Sequence, residues 1–401
     1  MKNVKTFRFS LPRPQSGGVD ILVIAAEHSG DQHAALAVRE LQALRPGVRI
    51  CALGGPALAA SGVQLLQDLT TISAIGFQVI RKLSFYQKLI VDVVRWVNDH
   101  RPQAVCFVDS SGLNLRIAKA LFARGLTSKA GGPTKAIYYI SPQIWASRSG
   151  RRFSMEKHID GLAVIFPFDL KYYADTNLPV RFVGHPFVIG GEAPSVVYDP
   201  AGPVLLLPGS RRQAVAKIFP SLLDGYLMYR HHGGDREAVI VYPSDEVRMV
   251  IERTTHTPYR LVKAGECVAA SAVLTSSGTM SLRCALAGVP GAIVYRTDPV
   301  TYFIAKLVVK VPYLGISNLL LGETMYPEYI QGAGSPTRLA EQLHSSLNDR
   351  TRIATTHAQA ERLRALLSEQ SHGNVGEWLA EYLSSAGNIP NSNNKMHRIN
   401  R

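Results

Sequence analysis

Apolar residues along this chain fall in short runs, separated by segments with a helical period. The first run, residues 19–25, ends at Ala26-Glu27-His28-Ser29-Gly30-Asp31, and residues 33–44 then carry a helical pattern. Similar runs recur at 49–53, 104–108, 135–140, 161–165 and 180–183. Runs this short and this continuously apolar predict parallel strands buried on both faces, each followed by a helix that covers the sheet. A turn-rich stretch, 199–203, precedes a second series at 204–207, 238–242, 272–274 and 292–295. The expected fold class is α/β: two doubly wound, Rossmann-like parallel-sheet units with a ligand cleft between them at the strands' carboxyl ends. In the expected division, residues 1–18 are an extension, 19–198 the first unit and 199–350 the second. Residues 351–383 are read as carboxyl-terminal helices and 384–401 as a polar, disordered tail.

With 401 residues, 46% of them hydrophobic, the chain can bury two such cores. No run approaches the roughly eighteen apolar residues of a membrane span, and the opening Met1-Lys2-Asn3-Val4-Lys5 leads into Pro12 and Pro14 rather than an apolar signal core. A cytoplasmic protein is expected. Its four cysteines, Cys51, Cys106, Cys267 and Cys284, are scattered, without metal-ligand spacing or a disulfide framework. The net charge of +14 implies acidic partners: nucleic acid, an anionic lipid surface or phosphorylated small molecules. No interleaving of aromatic and basic residues supports nucleic acid.

Four turns at strand ends carry candidate chemistry. Ser276-Ser277-Gly278-Thr279 joins an apolar run to a helical stretch, 280–287, where free N–H groups and the helix dipole suit a phosphate or diphosphate. A plain N-cap fits the same pattern. Residues 205–207 lead into Pro208-Gly209-Ser210-Arg211-Arg212, where arginine offers forked hydrogen bonds to phosphate oxygens; a solvated turn is the alternative. Together the two turns favour a nucleotide-diphosphate site. In the first unit, Glu27 and Asp109 each follow a strand, and desolvation in a cleft would raise either toward general-base duty. Asp109 is equally read as a cap for a helix from Leu115, and Asp31 as a cap for one beginning near Gln32. His28, His33 and His185 form no metal or triad pattern and no Asp-x-Asp pair occurs, so transfer without a metal or cofactor is expected.

The stretch 75–90 mixes large apolar residues with Arg and Lys. Phe77, Val79 and Ile80, with Arg81 and Lys82, suit contact with an anionic bilayer, whereas Leu83, Tyr86, Ile90 and Val93 read as an amphipathic helix packed on the sheet. Residues 302–311 suit the same contact more weakly.

These segments, taken in order, resemble the lipid-A-disaccharide synthases, bacterial glycosyltransferases of two-Rossmann GT-B architecture. The resemblance runs from about residue 21 to about 383. It is carried by Glu27-His28-Ser29-Gly30-Asp31, Gly54-Gly55-Pro56, Phe107-Val108-Asp109, Tyr139-Ile140-Ser141-Pro142-Gln143-Ile144-Trp145-Ala146, Phe166-Pro167-Phe168, Phe182-Val183-Gly184-His185-Pro186, Leu206-Leu207-Pro208-Gly209-Ser210-Arg211, Ser277-Gly278-Thr279 and Asn318-Leu319-Leu320. It implies an inverting transfer from UDP-2,3-diacylglucosamine to the 6-hydroxyl of 2,3-diacylglucosamine 1-phosphate at the anionic inner leaflet of the inner membrane, releasing UDP. By the same resemblance Asp109 falls on the proposed base and Glu27 on an amino-terminal acidic motif. Gly209, Ser210, Arg211, Ser277, Gly278, Thr279, Asn318, Glu328 and Gln331 fall on the nucleotide and phosphate side.

Several positions depart from the family pattern. Arg283 and Ala214 stand where acids are common, Gly112 replaces an Asp, Gln78 a Glu, Ser317 a Pro and Ser147 a Trp. Related transferases hold the ribose hydroxyls with an acid near the position of Arg283. Two other readings therefore stand beside the transferase: a GT-B enzyme acting on a soluble UDP-sugar, such as a UDP-N-acetylglucosamine 2-epimerase, and a catalytically impaired paralogue that binds nucleotide or lipid.

Overall fold

The computed structural model describes residues 10–70, 79–146, 148–191, 193–255, 259–298, 302, 311–369 and 373–384, with the backbone alone for 79–83 and 384. Two all-parallel sheets organise them. The first has seven strands in the order β3-β2-β1-β4-β5-β6-β7: β1 Ile21–Ala25, β2 Ile50–Gly54, β3 Gln64–Asp68, β4 Ala104–Val108, β5 Lys135–Tyr139, β6 Gly161–Val164 and β7 Val180–Phe182. A short pair follows, β8 Val196–Tyr198 against β12 Val268–Ala270. The second sheet has six strands, β11-β10-β9-β13-β14-β15: β9 Val204–Leu207, β10 Ala238–Tyr242, β11 Arg260–Lys263, β13 Ala272–Thr275, β14 Gly291–Tyr295 and β15 Glu328–Ile330.

The central strands β1, β4, β9, β10 and β13 are buried at every residue, which is why they read as continuous apolar runs. Strand order reverses between β1 and β4 in one sheet and between β9 and β13 in the other. A crevice opens at such switch points because the crossovers leave to opposite faces. All four motif turns lie there. Ala25 pairs with Val108, so Glu27 and Asp109 leave neighbouring strand ends. Leu207 pairs with Thr275, so the Gly209 and Ser276 turns do the same.

The two last helices separate. Ala360, Leu363 and Leu367 of Arg350–Ser368 belong to the core of the second sheet, whereas Val375, Trp378, Leu379 and Leu383 of Val375–Ser384 belong to that of the first. The return is fastened by Glu381, which accepts from Nη1 and Nη2 of Arg181 at 2.8 Å, and by Glu40, which accepts from Gly376 N.

Asp31 differs from its expected role. The first helix begins at His28, so Asp31 lies inside its first turn rather than ahead of it. Its buried carboxylate accepts instead from the N–H groups of Gly55, Ala57 and Leu58 at 2.7, 2.9 and 3.2 Å, capping the next helix, Pro56–Ala60. This contact also explains Gly54-Gly55-Pro56, since a Cβ at Gly55 would lie 2.7 Å from Asp31 Oδ2. Asp31→Ala strands three donors, two of them in wholly buried hydrogen bonds, and is expected to cost about 2–3 kcal/mol, read from the midpoint of urea unfolding. A change within experimental error would show that the capping is dispensable.

Candidate active site

At the first switch point the backbone turns sharply. Asp109 and Ser110 adopt left-handed conformations, with φ of 51° and 43°. Two successive non-glycine residues there are costly, and they persist where surrounding contacts dictate them. Here the Asp109 N–H donates to the Tyr139 carbonyl at 3.0 Å, and the fully buried Asn114 donates from Nδ2 to the Val108 and Asp109 carbonyls at 3.0 and 2.9 Å. The Tyr138 hydroxyl also donates to the Asp109 carbonyl. Neither Tyr138 nor Asn114 stood out in the sequence as a site residue, because nothing local ties them to Asp109.

The helix after this turn is Ser111–Ala123 and Ser110 is its cap, so Asp109 is not the helix cap that the sequence left open. Burial pushes the Asp109 carboxyl up to about 6, and the negative charge of Glu27 adds to the rise. The Ser110 N–H and the Arg211 guanidinium pull the other way. Arg211 follows β9 and Asp109 follows β4, so charge from the second sheet reaches the carboxylate of the first. At neutral pH the Asp109 carboxylate is ionised yet close to its midpoint, as a general base requires. Glu27 stands at the cap position of the helix His28–Leu44 without making a side-chain cap bond, and it is exposed.

Across the cleft, the Gly209 and Ser276 turns touch. Gly209 has φ of 107°, and a Cβ there would lie 2.9 Å from Ser276 Oγ, so only glycine fits both the conformation and the space. Arg211 is exposed and caps the twenty-residue helix Arg212–His231, whose first turn has no acidic residue. Ser210, Gly278 and Thr279 are exposed beside it, and Ser277 is half-buried. Gly278 caps the helix Thr279–Leu286, where Ser281 Oγ accepts from the Gly278 N–H at 3.3 Å and donates to its carbonyl at 2.6 Å. Two helix starts and one guanidinium thus offer positive potential to one ligand.

Asn318, Glu328 and Gln331 are engaged with the protein's own backbone. Asn318 Oδ1 accepts from Met325 N and Tyr326 N at 2.9 Å, while its Nδ2 donates to Tyr326 O and to Glu328. Glu328 also accepts from the Leu314 and Gly315 N–H groups, and Gln331 exchanges two bonds with the backbone of Thr297. They shape the loops at the carboxyl ends of β14 and β15.

Arg283, which stands where an acid is common in the family, points toward the segment leading into β8. Its guanidinium lies 3.7 Å from the centroid of the Phe187 ring and donates to Ser195 Oγ at 3.3 Å. His33 and His185 adjoin Phe187. Burial, and then the charge of Arg283, lowers the His33 imidazole to about 4, so it is neutral at pH 7. Ala214 packs at the rim of the second core.

Phe77 lies outside the described residues, as do Gln78 and Ser147 and nearly all of 302–311. Val79, Ile80, Arg81 and Lys82 form the first turn of the helix Val79–His100, with side chains outside the description. Farther along it, Tyr86 and Ile90 pack against the first core and Val93 is buried within it, as the amphipathic pattern predicts. Among the described residues no helix is long and apolar enough to cross a membrane, and no group of three His, Cys, Asp or Glu side chains is placed to hold a metal.

A family model described as lipid-A-disaccharide synthetase matches residues 21–382. The lipid-A-disaccharide synthase of Geobacter metallireducens is 30% identical over 388 residues, covering 90% of this chain and 97% of that protein. Lipid-A-disaccharide synthase 1 of Legionella pneumophila (strain Philadelphia 1) is 33% identical over 364 residues, covering 87% and 93%. Among solved structures, the calicheamicin glycosyltransferase CalG4 matches with a TM-score of 0.53 at 14% identity, covering 92% of this chain and 100% of that one. That likeness is one of fold, the GT-B arrangement.

Proposed function

Because this chain belongs to the lipid-A-disaccharide synthetase family, we propose that it condenses UDP-2,3-diacylglucosamine with 2,3-diacylglucosamine 1-phosphate. It is a glycosyltransferase of lipid A biosynthesis. Asp109 takes the proton from the acceptor 6-hydroxyl, whose oxygen attacks the anomeric carbon from the face opposite the leaving group. The bond from that carbon to the diphosphate oxygen breaks, its electron pair leaves with UDP, and the configuration inverts. Charge growing on the diphosphate is met by Arg211 and by the turns Gly209-Ser210 and Ser277-Gly278-Thr279. Asn318, Glu328 and Gln331 hold the loops beside that pocket, and Glu27 helps keep Asp109 basic.

One observation carries this reading: a carboxylate raised to about 6 at one switch point feels the charge of an arginine at the other. Both follow strand carboxyl ends at the switch points, which supports reading them as a base and a leaving-group stabiliser. The excess of 44 Lys and Arg over 30 Asp and Glu supports work on an anionic membrane surface, with the start of the helix Val79–His100 as the contact.

Purified protein given both diacyl precursors in dispersed lipid is expected to yield disaccharide 1-phosphate and UDP in equal amounts, without added metal. Consumption of unacylated UDP-N-acetylglucosamine would favour the soluble-sugar reading. Absence of product from well-dispersed precursors would favour a paralogue that only binds.

A further inference from the structure

The chemistry above leaves one cluster unused, at the start of the helix Ser111–Ala123. That helix has thirteen residues and no acidic residue in its first turn, and its cap residue, Ser110, makes no side-chain cap bond. Ser110 is 8% exposed and its hydroxyl has no hydrogen-bond partner among the described residues. Buried hydroxyls are nearly always paired, so an orphan at a helix start calls for a partner from outside the chain. The N–H groups of Leu113 and Asn114 both donate to the Ser110 carbonyl, whereas those of Ser111 and Gly112 have no partner among the described residues.

A cation stands beside these donors. Arg151 Nη1 donates to Ser111 Oγ at 3.0 Å, and no carboxylate pairs with Arg151 among the described residues. A guanidinium at the positive end of a helix is repelled by it unless an anion joins both. Space for one exists, because a Cβ added at Gly112 would meet nothing within 4 Å.

We propose that Arg151, the hydroxyls of Ser110 and Ser111, and the N–H groups of Ser111 and Gly112 bind the monoester phosphate of the acceptor sugar. The identity of the anion rests on the acceptor assigned above; the anion site itself rests on the geometry. Ser110 follows Asp109 directly, so a sugar anchored there by its phosphate presents its other hydroxyls within one ring of the base. The donor's diphosphate is served separately by the turns of the second sheet. This makes the cluster the feature that selects a phosphorylated acceptor.

The test compares the acceptor with its dephosphorylated form, in the full chain and in Arg151→Gln. Wild type is expected to prefer the phosphorylated acceptor by about 10- to 100-fold in kcat/KM. Arg151→Gln should bring that ratio toward one with donor KM within about twofold, and Arg151→Lys, which keeps the charge but loses the fork, should restore part of it. A preference that survives in Arg151→Gln, or a wild type that shows none, overturns the proposal. Titration with glucosamine 1-phosphate, with glucosamine as control, reads the same site without turnover. Saturable, phosphate-dependent binding that Arg151→Gln abolishes upholds the site even if condensation is never seen, a result that would sink the assigned reaction alone. Equal binding by wild type and variant, or none by either, overturns the site.

Discussion

Replacing Asp109 with Asn is expected to lower kcat by about a hundred- to ten-thousand-fold while making the folded protein more stable at pH 8. The two effects have one cause. The carboxyl is pushed from 3.8 to about 6 chiefly by burial, so the folded state holds its ionised form at a cost of about 2–3 kcal/mol. Because the folded value lies above the unfolded one, this group's favourable contribution is complete below pH 3.8 and is lost as pH rises through about 6. Asparagine removes the charge and tolerates the left-handed backbone that Asp109 adopts. The gain should therefore appear in urea unfolding at pH 8 and vanish near pH 4. In wild type, kcat/KM should climb tenfold per pH unit below an acid limb near 6. An Asp109→Asn enzyme with full turnover, or a limb at the ordinary carboxylate value, would remove Asp109 as the base.

Arg211→Met is expected to lower kcat by about a hundred- to a thousand-fold, the usual loss when one stabiliser of a leaving anion is removed. It should also move the acid limb of kcat/KM upward, because the Arg211 charge holds Asp109 down. Stability should hardly change, since Arg211 is exposed and its charge sits at the unfavourable end of the helix Arg212–His231. The paired readout is demanding. A fall in kcat with an unmoved limb would place Arg211 on the diphosphate but out of electrical reach of Asp109, and an unchanged kcat would free it from the leaving group altogether.

Legibility followed burial. Strands β1, β4, β9, β10 and β13 lie at or near the centre of their sheets and are apolar but for Thr275 at the end of β13, so alternation with helical segments exposed both layers. Edge strands β3, β11 and β15 are half-exposed, carry Gln, Asp, Arg, Lys and Glu, and gave no such signal. Glu328 therefore could be named only by resemblance, although it lies in a strand. The turns at Glu27, Asp109, Gly209 and Ser276 were legible because each follows an apolar run directly. The first helix starts four residues ahead of the position that Asp31, read as a cap, suggests, because the true partners of Asp31 are some 24 to 27 residues away. That Phe187 and Ser195 receive Arg283 has no local sign in the sequence, since both lie far from it along the chain.

What the sequence determined by itself is the layer architecture and the four strand-end turns with the residue types they carry, because apolar periodicity and turn composition are local properties. Tertiary structure decided what those turns do together. Reversal of strand order set Glu27 beside Asp109 and the Gly209 turn beside Ser276, and packing of the two units brought Arg211 within electrical reach of Asp109. Burial then raised that carboxyl to about 6, a change written nowhere in its neighbours along the chain, because desolvation and Coulomb interaction depend on distance in space alone.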